Sequence, residues 1–340
     1  MLALQRYSTK PGTLKIIQKS KPAIKKNYCI LKVISAGICG RDLEHHNSKL
    51  PKNKIPFIPG HEFSGIIHQI SDNNKFKIGD RVVSETVYST CEKCKVCKDG
   101  NYNLCTKRKN IGGSVDGAFS QYVRVPIKYL HKIPNSITFN EAALIEPASV
   151  TYNAVFNNSN LKKNNKVLVI GSGTIGLLTI QMLKLKKVNT SLLCLRNEHS
   201  RIKIAKKIRV NNIYYFENLL KSNKILMNTF DYVYDTVGGH DVSINSAIDF
   251  VKPNGFIIKL GWFMNYKKVN FDKIIRKSIN LKGSFSHNYN IWEKCINLIK
   301  LNKINVSILI GKTSPINKWK ICFDELINKK YVKVLLKPNE

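Results

Sequence analysis

The stretch from Lys166 to Gly176 reads KVLVIGSGTIG, a short apolar run followed at once by three glycines spaced as GxGxxG. The first five residues have the length and branched side chains of a buried strand, and residues 174–186 continue with an apolar pattern of helical length. In such a strand–turn–helix unit, Gly171 permits the tight turn and Gly173 lets the backbone approach a pyrophosphate. The N–H groups and the dipole at the start of the helix also favour phosphate. The stretch therefore predicts a dinucleotide site formed by Gly171, Gly173, Thr174, Ile175 and Gly176.

Beyond this unit, strand-like and helix-like segments alternate along the chain. Strands are predicted at 191–195, 213–216, 230–234 and 255–260, with helices near 200–208 and 242–251. This alternation predicts an α/β domain with a doubly wound parallel sheet over residues 151–288. Residues 1–150 carry short β-branched runs at 29–35, 63–70 and 81–87, which are typical of an antiparallel β domain. The last segment, 289–340, holds two helix patterns and two strand patterns, at 306–310 and 332–336.

The residue that follows the second strand of a dinucleotide fold influences which cofactor is bound. An acidic side chain there binds the ribose 2′-hydroxyl of NAD, but this strand leads into Arg196, with Glu198 and Arg201 close behind. An arginine cannot accept from the hydroxyl, although it can pair with a 2′-phosphate. Arg196 and Arg201 therefore favour NADP over NAD. The alternative is that Arg196 is solvated and Glu198 binds the ribose.

Four of the nine cysteines fall within fifteen residues of one another, in the spacing C-x-x-C-x-x-C-x7-C. Four thiolates this close together can surround one tetrahedral zinc ion, in the closed coordination of a structural site. The alternative is a chance grouping of buried cysteines, but the loop around them is polar and rich in lysine and asparagine. We expect a structural zinc site formed by Cys91, Cys94, Cys97 and Cys105.

A second set of residues that can bind a metal is scattered along the sequence: Cys39, His61, Glu62 and Glu146. Cysteine, histidine and glutamate are all competent zinc ligands, and a catalytic zinc site keeps one position open. Taken one at a time, each also has a structural explanation, such as a buried thiol, a core histidine or a carboxylate at a helix start. Their spacing alone does not bring them together.

Composition excludes several classes of protein. The formal net charge of +34 suggests nucleic acid, but only nine of the 56 basic residues are arginine and the lysines are spread over the whole chain. We therefore expect no specific nucleic-acid partner. No apolar run approaches the ~20 residues of a membrane span, and the first residues lack the features of a secretory signal. These features predict a cytoplasmic protein without a membrane partner.

Taken together, the motifs resemble those of the medium-chain zinc-dependent alcohol and polyol dehydrogenases. The residues that carry the resemblance are GICGRD at 37–42, PGHEFSG at 59–65, GDRV at 79–82, DGAF at 116–119 and EP at 146–147, together with the four cysteines and GxGxxG. The segment KIIRK at 273–277, followed by GS at 283–284, resembles the sorbitol, galactitol-phosphate and threonine dehydrogenase branch. The resemblance implies a GroES-like β-rich catalytic domain formed by both ends of the chain around a Rossmann domain.

The resemblance also implies an activity. Cys39 and His61 would hold a catalytic zinc ion, with Glu62 or Glu146 completing the coordination, so that each subunit binds two Zn2+ ions. The reaction would transfer hydride between NAD(P) and a secondary alcohol of a polyol, sugar or sugar-like substrate. A homodimer or homotetramer is expected. The alternatives are a catalytically altered or inactive dinucleotide-binding homologue, or a dehydrogenase for an amino-alcohol or a cyclitol.

Two positions depart from the family pattern. Arg41 stands where relatives usually carry the serine or threonine that relays the alcohol proton, and Glu44 replaces a familiar histidine. Arginine stays charged and cannot shuttle a proton. Either Glu62 with a water does that work, or Arg41 binds a substrate phosphate or carboxylate, or it turns away from the site. Residues that could line the substrate pocket are Phe57, Tyr88, Ser114, Phe285 and His287.

Overall fold

The computed structural model describes residues 1–50, 55–72, 75–219, 226–263 and 268–340. The chain forms two units. The first contains Met1–Glu146, His287–Asn302 and Val306–Glu340, and the second contains Pro147–Ser286 and Lys303–Asn305. The first unit is thus assembled from both ends of the sequence, whereas the second is almost continuous. Within the described residues, we find no helix with the length and apolar character needed to cross a membrane.

The helices and strands are numbered in chain order. The strands are β1 (Leu2–Arg6), β2 (Leu14–Gln18), β3 (Tyr28–Gly37), β4 (Glu62–Ile70), β5 (Arg81–Ser84), β6 (Val87–Ser89), β7 (Lys109–Asn110), β8 (Tyr122–Pro126), β9 (Leu130–Lys132), β10 (Lys166–Ile170), β11 (Asn189–Cys194), β12 (Asn212–Tyr215), β13 (Phe230–Asp235), β14 (Val251–Lys259), β15 (Asn280–Gly283), β16 (Ile310–Pro315) and β17 (Lys333–Lys337). The helices are α1 (Gly40–Asn47), α2 (Lys95–Lys98), α3 (Phe139–Ala142), α4 (Ile145–Tyr152), α5 (Thr174–Leu185), α6 (His199–Lys207), α7 (Phe216–Leu219), α8 (Val242–Phe250), α9 (Phe271–Arg276), α10 (Tyr289–Lys300) and α11 (Trp319–Ile327).

The main sheet of the first unit joins strands from both ends of the chain. The described strands follow the order β16-β17-β3-β4-β5-β9, and β8 pairs with the first half of β3. All these pairs are antiparallel except β16 with β17. Val33, Phe63, Phe119 and Phe323 are buried in one core, so the last helix of the chain packs with its first strands. The GroES-like, β-rich domain predicted from the sequence is confirmed.

The second unit contains a parallel sheet in the order β12-β11-β10-β13-β14-β15. Every neighbouring pair in it is parallel, and β10, the strand of the KVLVI stretch, lies at its centre. Leu168, Val233, Ile244 and Ile257 are buried together between this sheet and α8. Because both faces of a parallel sheet are covered by helices, its strands are continuous apolar runs rather than alternating ones. The Rossmann-like fold predicted for this part of the chain is confirmed.

Two strand predictions were wrong in detail. The segment at 306–310 contains a 3₁₀ turn, Ser307–Leu309, and the strand begins only at Ile310. A short apolar run of this kind is compatible with a strand and with a buried turn. Here it forms a turn, in which Leu309 is fully buried. The run at 81–87 is divided into β5 and β6 around Glu85. Glu85 is fully buried and accepts hydrogen bonds from the Tyr102 hydroxyl, so the chain turns to bury a polar contact that periodicity does not reveal.

Candidate functional site

The four cysteines predicted to bind structural zinc converge in the first unit. We call Cys91, Cys94, Cys97 and Cys105 the cysteine group; their Sγ atoms all lie within 4.8 Å of one another. The Sγ–Sγ distance is 3.4 Å for Cys94 and Cys97 and 3.6 Å for Cys91 and Cys105. A tetrahedral zinc ion bound at about 2.3 Å from each sulfur would place the sulfurs about 3.8 Å apart. The ligand type, number and spacing therefore fit a closed zinc site.

The local backbone favours a thiolate at Cys91. Cys94 is the N-cap of α2, and its carbonyl oxygen accepts from the N–H groups of Cys97 and Lys98, which folds the ligands into one tight turn. Backbone N–H groups of Cys94 and Lys93 donate to the Cys91 sulfur and lower its pKa to about 6. Because the thiolate is the form that binds metal, these donors prepare the group for zinc.

Among the described residues, a second combination of potential metal ligands is formed by Cys39, His61 and Glu62, which we call the mixed group. One ligand atom from each lies within 4.8 Å of the other two. Cys39 follows β3 as the N-cap of α1, whereas Glu62 is the first residue of β4 and His61 immediately precedes it. The antiparallel pairing of these strands sets Gly37 opposite Glu62, which brings the two motifs together. A Cβ atom at Gly37 would lie 2.4 Å from Glu62 Oε2, so a larger residue there would require the Glu62 carboxylate to move.

Negative charge is concentrated around His61. Asp42 Oδ2 accepts from the Cys39 N–H at 2.9 Å, and Asp42 Oδ1 lies 3.9 Å from His61 Nδ1. Burial lowers the pKa of His61, but Cys39, Asp42 and Glu146 raise it, and together they bring it to about 10. A partly buried imidazole surrounded by a thiol and carboxylates fits a cation, and these donor types are those that zinc selects.

Lys333, on β17, completes the charge balance of the mixed group. Its Nζ lies 2.6 Å from Glu62 Oε2 and 3.0 Å from the carbonyl oxygen of Ile38, and both charged side chains are buried. Burial raises the pKa of Glu62, while the Lys333 ammonium opposes this effect. One oxygen of Glu62 is therefore held by Lys333. No sequence motif includes Lys333, which is 271 residues from Glu62 along the chain.

Glu146 lies beside the mixed group rather than within it. Its Oε1 is 3.2 Å from Nε2 of His287, and both side chains are buried. Burial raises the pKa of Glu146, but the hydrogen bond from His287 lowers it more, with His61 and Lys333 adding to the effect, so the value falls below that of an ordinary glutamate. Glu146 is thus maintained as a carboxylate. His287, which the sequence suggested as a residue lining the substrate pocket, is instead fully buried.

The glycine-rich turn in the second unit has the geometry that a dinucleotide requires. Gly171 has a φ of +102°, and a Cβ atom at Gly176 would lie 1.8 Å from the Gly171 carbonyl oxygen. At Gly173, no described heavy atom lies within 4 Å of the place a Cβ atom would occupy, and α5 begins at the next residue. The turn thus leaves space in front of a helix N-terminus, where a pyrophosphate would be bound by backbone N–H groups.

The structure separates the two arginines that were expected to favour NADP. Arg196 is exposed; its guanidinium lies over the Tyr215 ring and donates to Asn218 Oδ1 at 2.8 Å. Arg201 instead pairs with Glu198, Nη1 to Oε1, at 2.9 Å. Glu198 is buried and also accepts from the Ser172 hydroxyl in the glycine-rich turn. Any preference for a 2′-phosphate therefore depends on Arg196.

Comparison with known proteins agrees with this geometry. Residues 25–135 match the alcohol dehydrogenase GroES-like domain, and residues 174–301 match the zinc-binding dehydrogenase domain. A sorbitol dehydrogenase from Halalkalibacterium halodurans is 32% identical to this chain, and the match covers 99% of each protein. The chain belongs to the zinc-binding alcohol dehydrogenases. The family predicted from the sequence is thereby confirmed.

Two further dehydrogenases match over most of the chain. A D-arabitol-phosphate dehydrogenase from Enterococcus avium is 31% identical, over 95% of this chain and 93% of that protein. The crystal structure of an Escherichia coli CFT073 alcohol dehydrogenase complexed with NADH is 26% identical and covers 99% of each chain, with a TM-score of 0.86. As a member of this family, the protein is a zinc-dependent oxidoreductase that uses NAD(P) to act on secondary alcohols.

Proposed function

We propose that this dehydrogenase acts on a secondary alcohol of a polyol or sugar-like substrate, and that its catalytic zinc is held by Cys39, His61 and Glu62. The observation that carries the proposal is the convergence of a thiol, an imidazole and a carboxylate within 4.8 Å. Three protein ligands with one open position are typical of a catalytic zinc site, whereas four thiolates are typical of a structural one. Relatives that act on sorbitol and D-arabitol phosphate support the polyol class.

Each residue has a distinct part in the proposed reaction. When bound, zinc would supply Lewis-acid polarisation of the substrate hydroxyl, and the nicotinamide would accept hydride. Lys333 holds one oxygen of Glu62, and Asp42 lies against His61, so both ligands are oriented. The substrate proton needs an acceptor, and Arg41 stays charged. We assign this role to Glu146, which remains a carboxylate, because Lys333 already holds Glu62.

A phosphorylated polyol is a second candidate substrate. Arg41 lies in the first turn of α1, two residues after Cys39. Burial raises the pKa of Glu44, and the charge of Arg41 opposes this effect. Burial also lowers the pKa of Arg108; the charge of Glu146 opposes that shift and the charge of Arg41 adds to it, so Arg108 lies near both groups. Two guanidinium groups near the carboxylate would favour an anionic substituent, since arginine binds phosphate bidentately. The arabitol-phosphate relative agrees with this candidate.

Three further proposals concern the setting of the enzyme. NADP(H) as cofactor is supported by Arg196 at the end of the second strand of the parallel sheet. A cytoplasmic location is supported by the nine free cysteines, which suit a reducing compartment. A homodimer or homotetramer is supported by the exposed apolar edge of the second unit, considered below.

The test is an activity screen with both nicotinamides. Substrates would include sugar alcohols, their phosphates, amino-alcohols and cyclitols, with reduced nicotinamide followed by absorbance and zinc measured by elemental analysis. We expect turnover with a polyol or its phosphate. Selective use of an amino-alcohol or a cyclitol would contradict the substrate proposal. A lack of turnover across the whole panel by fully zinc-loaded protein would instead indicate a catalytically altered homologue.

A further inference from the structure

The carboxylate of Glu146 is held by a chain of two aromatic side chains that no motif of the sequence predicts. His287 Nε2 lies 3.2 Å from Glu146 Oε1, and the Trp292 indole N–H donates to His287 Nδ1 at 2.6 Å. His287 is fully buried, and the accessible fraction of Trp292 is 1%. The two rings meet edge to face, with centroids 5.0 Å apart and planes at 80°. Both ring nitrogens of His287 are therefore occupied within the protein interior.

The direction of these hydrogen bonds follows from donor chemistry. An indole N–H can only donate, so His287 Nδ1 must accept and carries no proton. A neutral imidazole then has its proton on Nε2, which donates to Glu146 Oε1. Because the tryptophan has no acceptor on its ring nitrogen, His287 cannot pass a proton onward. It holds Glu146 in place through Oε1.

The tryptophan is itself fixed by a second layer of contacts. Its ring is stacked on His131, with centroids 5.4 Å apart and planes at 7°. His131 Nδ1 lies 2.7 Å from Glu293 Oε1, and His131 Nε2 lies 3.4 Å from Glu85 Oε1, so that ring is held from both sides. The position of the indole N–H is thus set by packing and not by Glu146. Trp292 can therefore orient His287 without itself being moved by Glu146.

We propose that His287 and Trp292 are positioning residues for Glu146: Trp292 fixes the tautomer of His287, and His287 orients the carboxylate beside the mixed group. The inference rests on the proposed function, since it concerns how Glu146 serves the reaction. Partners that orient a reacting carboxylate are worth about ten- to a hundredfold in activity or metal affinity. Neither residue is expected to contact the substrate.

The test compares variants that keep or remove the N–H donor. We expect H287L to lower kcat about ten- to a hundredfold with little change in KM, because substrate binding is not the step affected. H287Q keeps an N–H donor near the same place and should recover kcat to within about threefold of wild type. W292F should give an intermediate loss, since His287 remains but its tautomer is no longer fixed. W319F, a tryptophan elsewhere in the same unit, is the matched control and should behave as wild type.

A double mutant tests whether His287 acts through Glu146. In an E146Q background, adding H287L should lower kcat by no more than about threefold, because the carboxylate to be oriented is already gone. Multiplicative losses, equal losses in H287L and H287Q, or an unchanged kcat in H287L would each overturn the proposal. Unfolding curves of all variants identify any that fail to fold. If a variant fails to fold, the tautomer of His287 in the wild type tests the proposal instead.

The tautomer can be read without any substrate. Protein labelled with 15N-histidine should show one imidazole signal that is absent from H287Q, with its proton on Nε2 and an unprotonated Nδ1. In W292F the same signal should shift towards a mixture of the two tautomers. A proton on Nδ1 in the wild type would overturn the proposal even if the enzyme were active. Conversely, a wild type with this tautomer but no turnover would place the failure in the proposed function alone.

Discussion

At the scale of single residues, the two metal-binding groups differ in what their donors leave open. The cysteine group offers four thiolates, which saturate a tetrahedral ion. The mixed group offers three different donors; Lys333 holds its carboxylate, Glu62, and His287 holds the neighbouring carboxylate of Glu146. A site of the second kind contributes less to folding and more to chemistry. This difference leads to the first prediction.

Replacing Cys39 by alanine should remove about one zinc ion per chain and abolish turnover, while the protein stays folded. The reason is that the closed cysteine group, and not the open mixed group, stabilises the fold. Zinc content by elemental analysis and the free energy of unfolding in urea are the measurements. C322A, which alters a buried cysteine outside both groups, is the control and should keep its zinc. An unchanged zinc content in C39A would show that the mixed group holds no metal.

Arg196 leads to a prediction about the cofactor. Because its guanidinium is exposed and already contacts Asn218, its preference for a 2′-phosphate should be modest, about tenfold in affinity for NADP over NAD. R196D should erase or reverse this ratio, since a carboxylate repels the phosphate and accepts from the 2′-hydroxyl. Binding of both cofactors can be followed by fluorescence titration. R209D, at an exposed arginine of the same unit, is the matched control.

The preference would be disproved by wild-type enzyme that binds both cofactors equally. An unchanged ratio in R196D would show that Arg196 is only a solvated residue, with Glu198 serving the ribose. Arg201 is a weaker candidate than the sequence suggested, because it is engaged with Glu198.

At the scale of elements, helix α1 is anchored by an arginine from strand β1. Arg6, the last residue of β1, has a relative exposure of 1%. Its guanidinium donates to backbone carbonyl oxygens at the C-terminal end of α1 and in the loop that follows β1: those of His45, His46 and Ser48, and those of Ser8, Thr9 and Lys10. These include carbonyl groups that a helix end leaves without partners. A positive charge at the C-terminal end of a helix also interacts favourably with the helix dipole. Since α1 begins at the mixed group, Arg6 fixes the far end of the element that carries Arg41.

We expect R6M to lower the free energy of unfolding by about 3 kcal/mol, because several buried carbonyl groups lose a charged donor. Hydrogen exchange should also speed up in α1 before it does so elsewhere in the first unit. R124M, an arginine on β8 of the same unit with fewer hydrogen bonds, should have a smaller effect. Equal destabilisation by the two substitutions would mean that Arg6 is not a special anchor.

The elements also show why part of the fold and site could be predicted from sequence. β10 and α5 were predicted nearly to the residue, because strand, glycines and helix are adjacent and each signal is local. The cysteine group was recognisable for the same reason. The contacts of Lys333 with Glu62, and of His287 with Glu146, join residues that are 271 and 141 positions apart. No local pattern encodes such pairs, since the sheet and α10 must form before the side chains meet.

At the scale of the whole molecule, one edge of the second unit presents apolar side chains to solvent. β15 is at the end of the described six-stranded sheet, and Leu281 on it is 42% exposed. On the preceding helix α9, Phe271 and Ile275 are exposed by 62% and 72%. Open strand edges next to apolar side chains are commonly covered by another chain. If the protein forms the homo-oligomer proposed above, we expect this surface to be its interface.

We expect the double substitution I275E and L281K to reduce the molar mass measured by light scattering to that of a monomer. The introduced charges would be desolvated at the interface without partners, which disfavours association. I78K, at a similarly exposed isoleucine in the first unit, is the matched control and should leave the mass unchanged. A monomeric wild type, or a double mutant with unchanged mass, would contradict this interface.

The position of β17 between β16 and β3 has a consequence for biosynthesis. β3 and β4 leave the ribosome about 300 residues before Lys333, which at ~5–20 residues per second corresponds to about 15–60 s. All of Pro147–Ser286 is translated in that interval. The second unit can therefore fold before β17 is available to complete the sheet of the first unit. During this time Glu62 lacks its ammonium partner, and the end of β3 is an open edge that chaperones can bind. A nascent chain that stalls before Lys333 would thus carry a finished nucleotide fold and an unfinished metal site, which makes it a substrate for quality control rather than a weak enzyme.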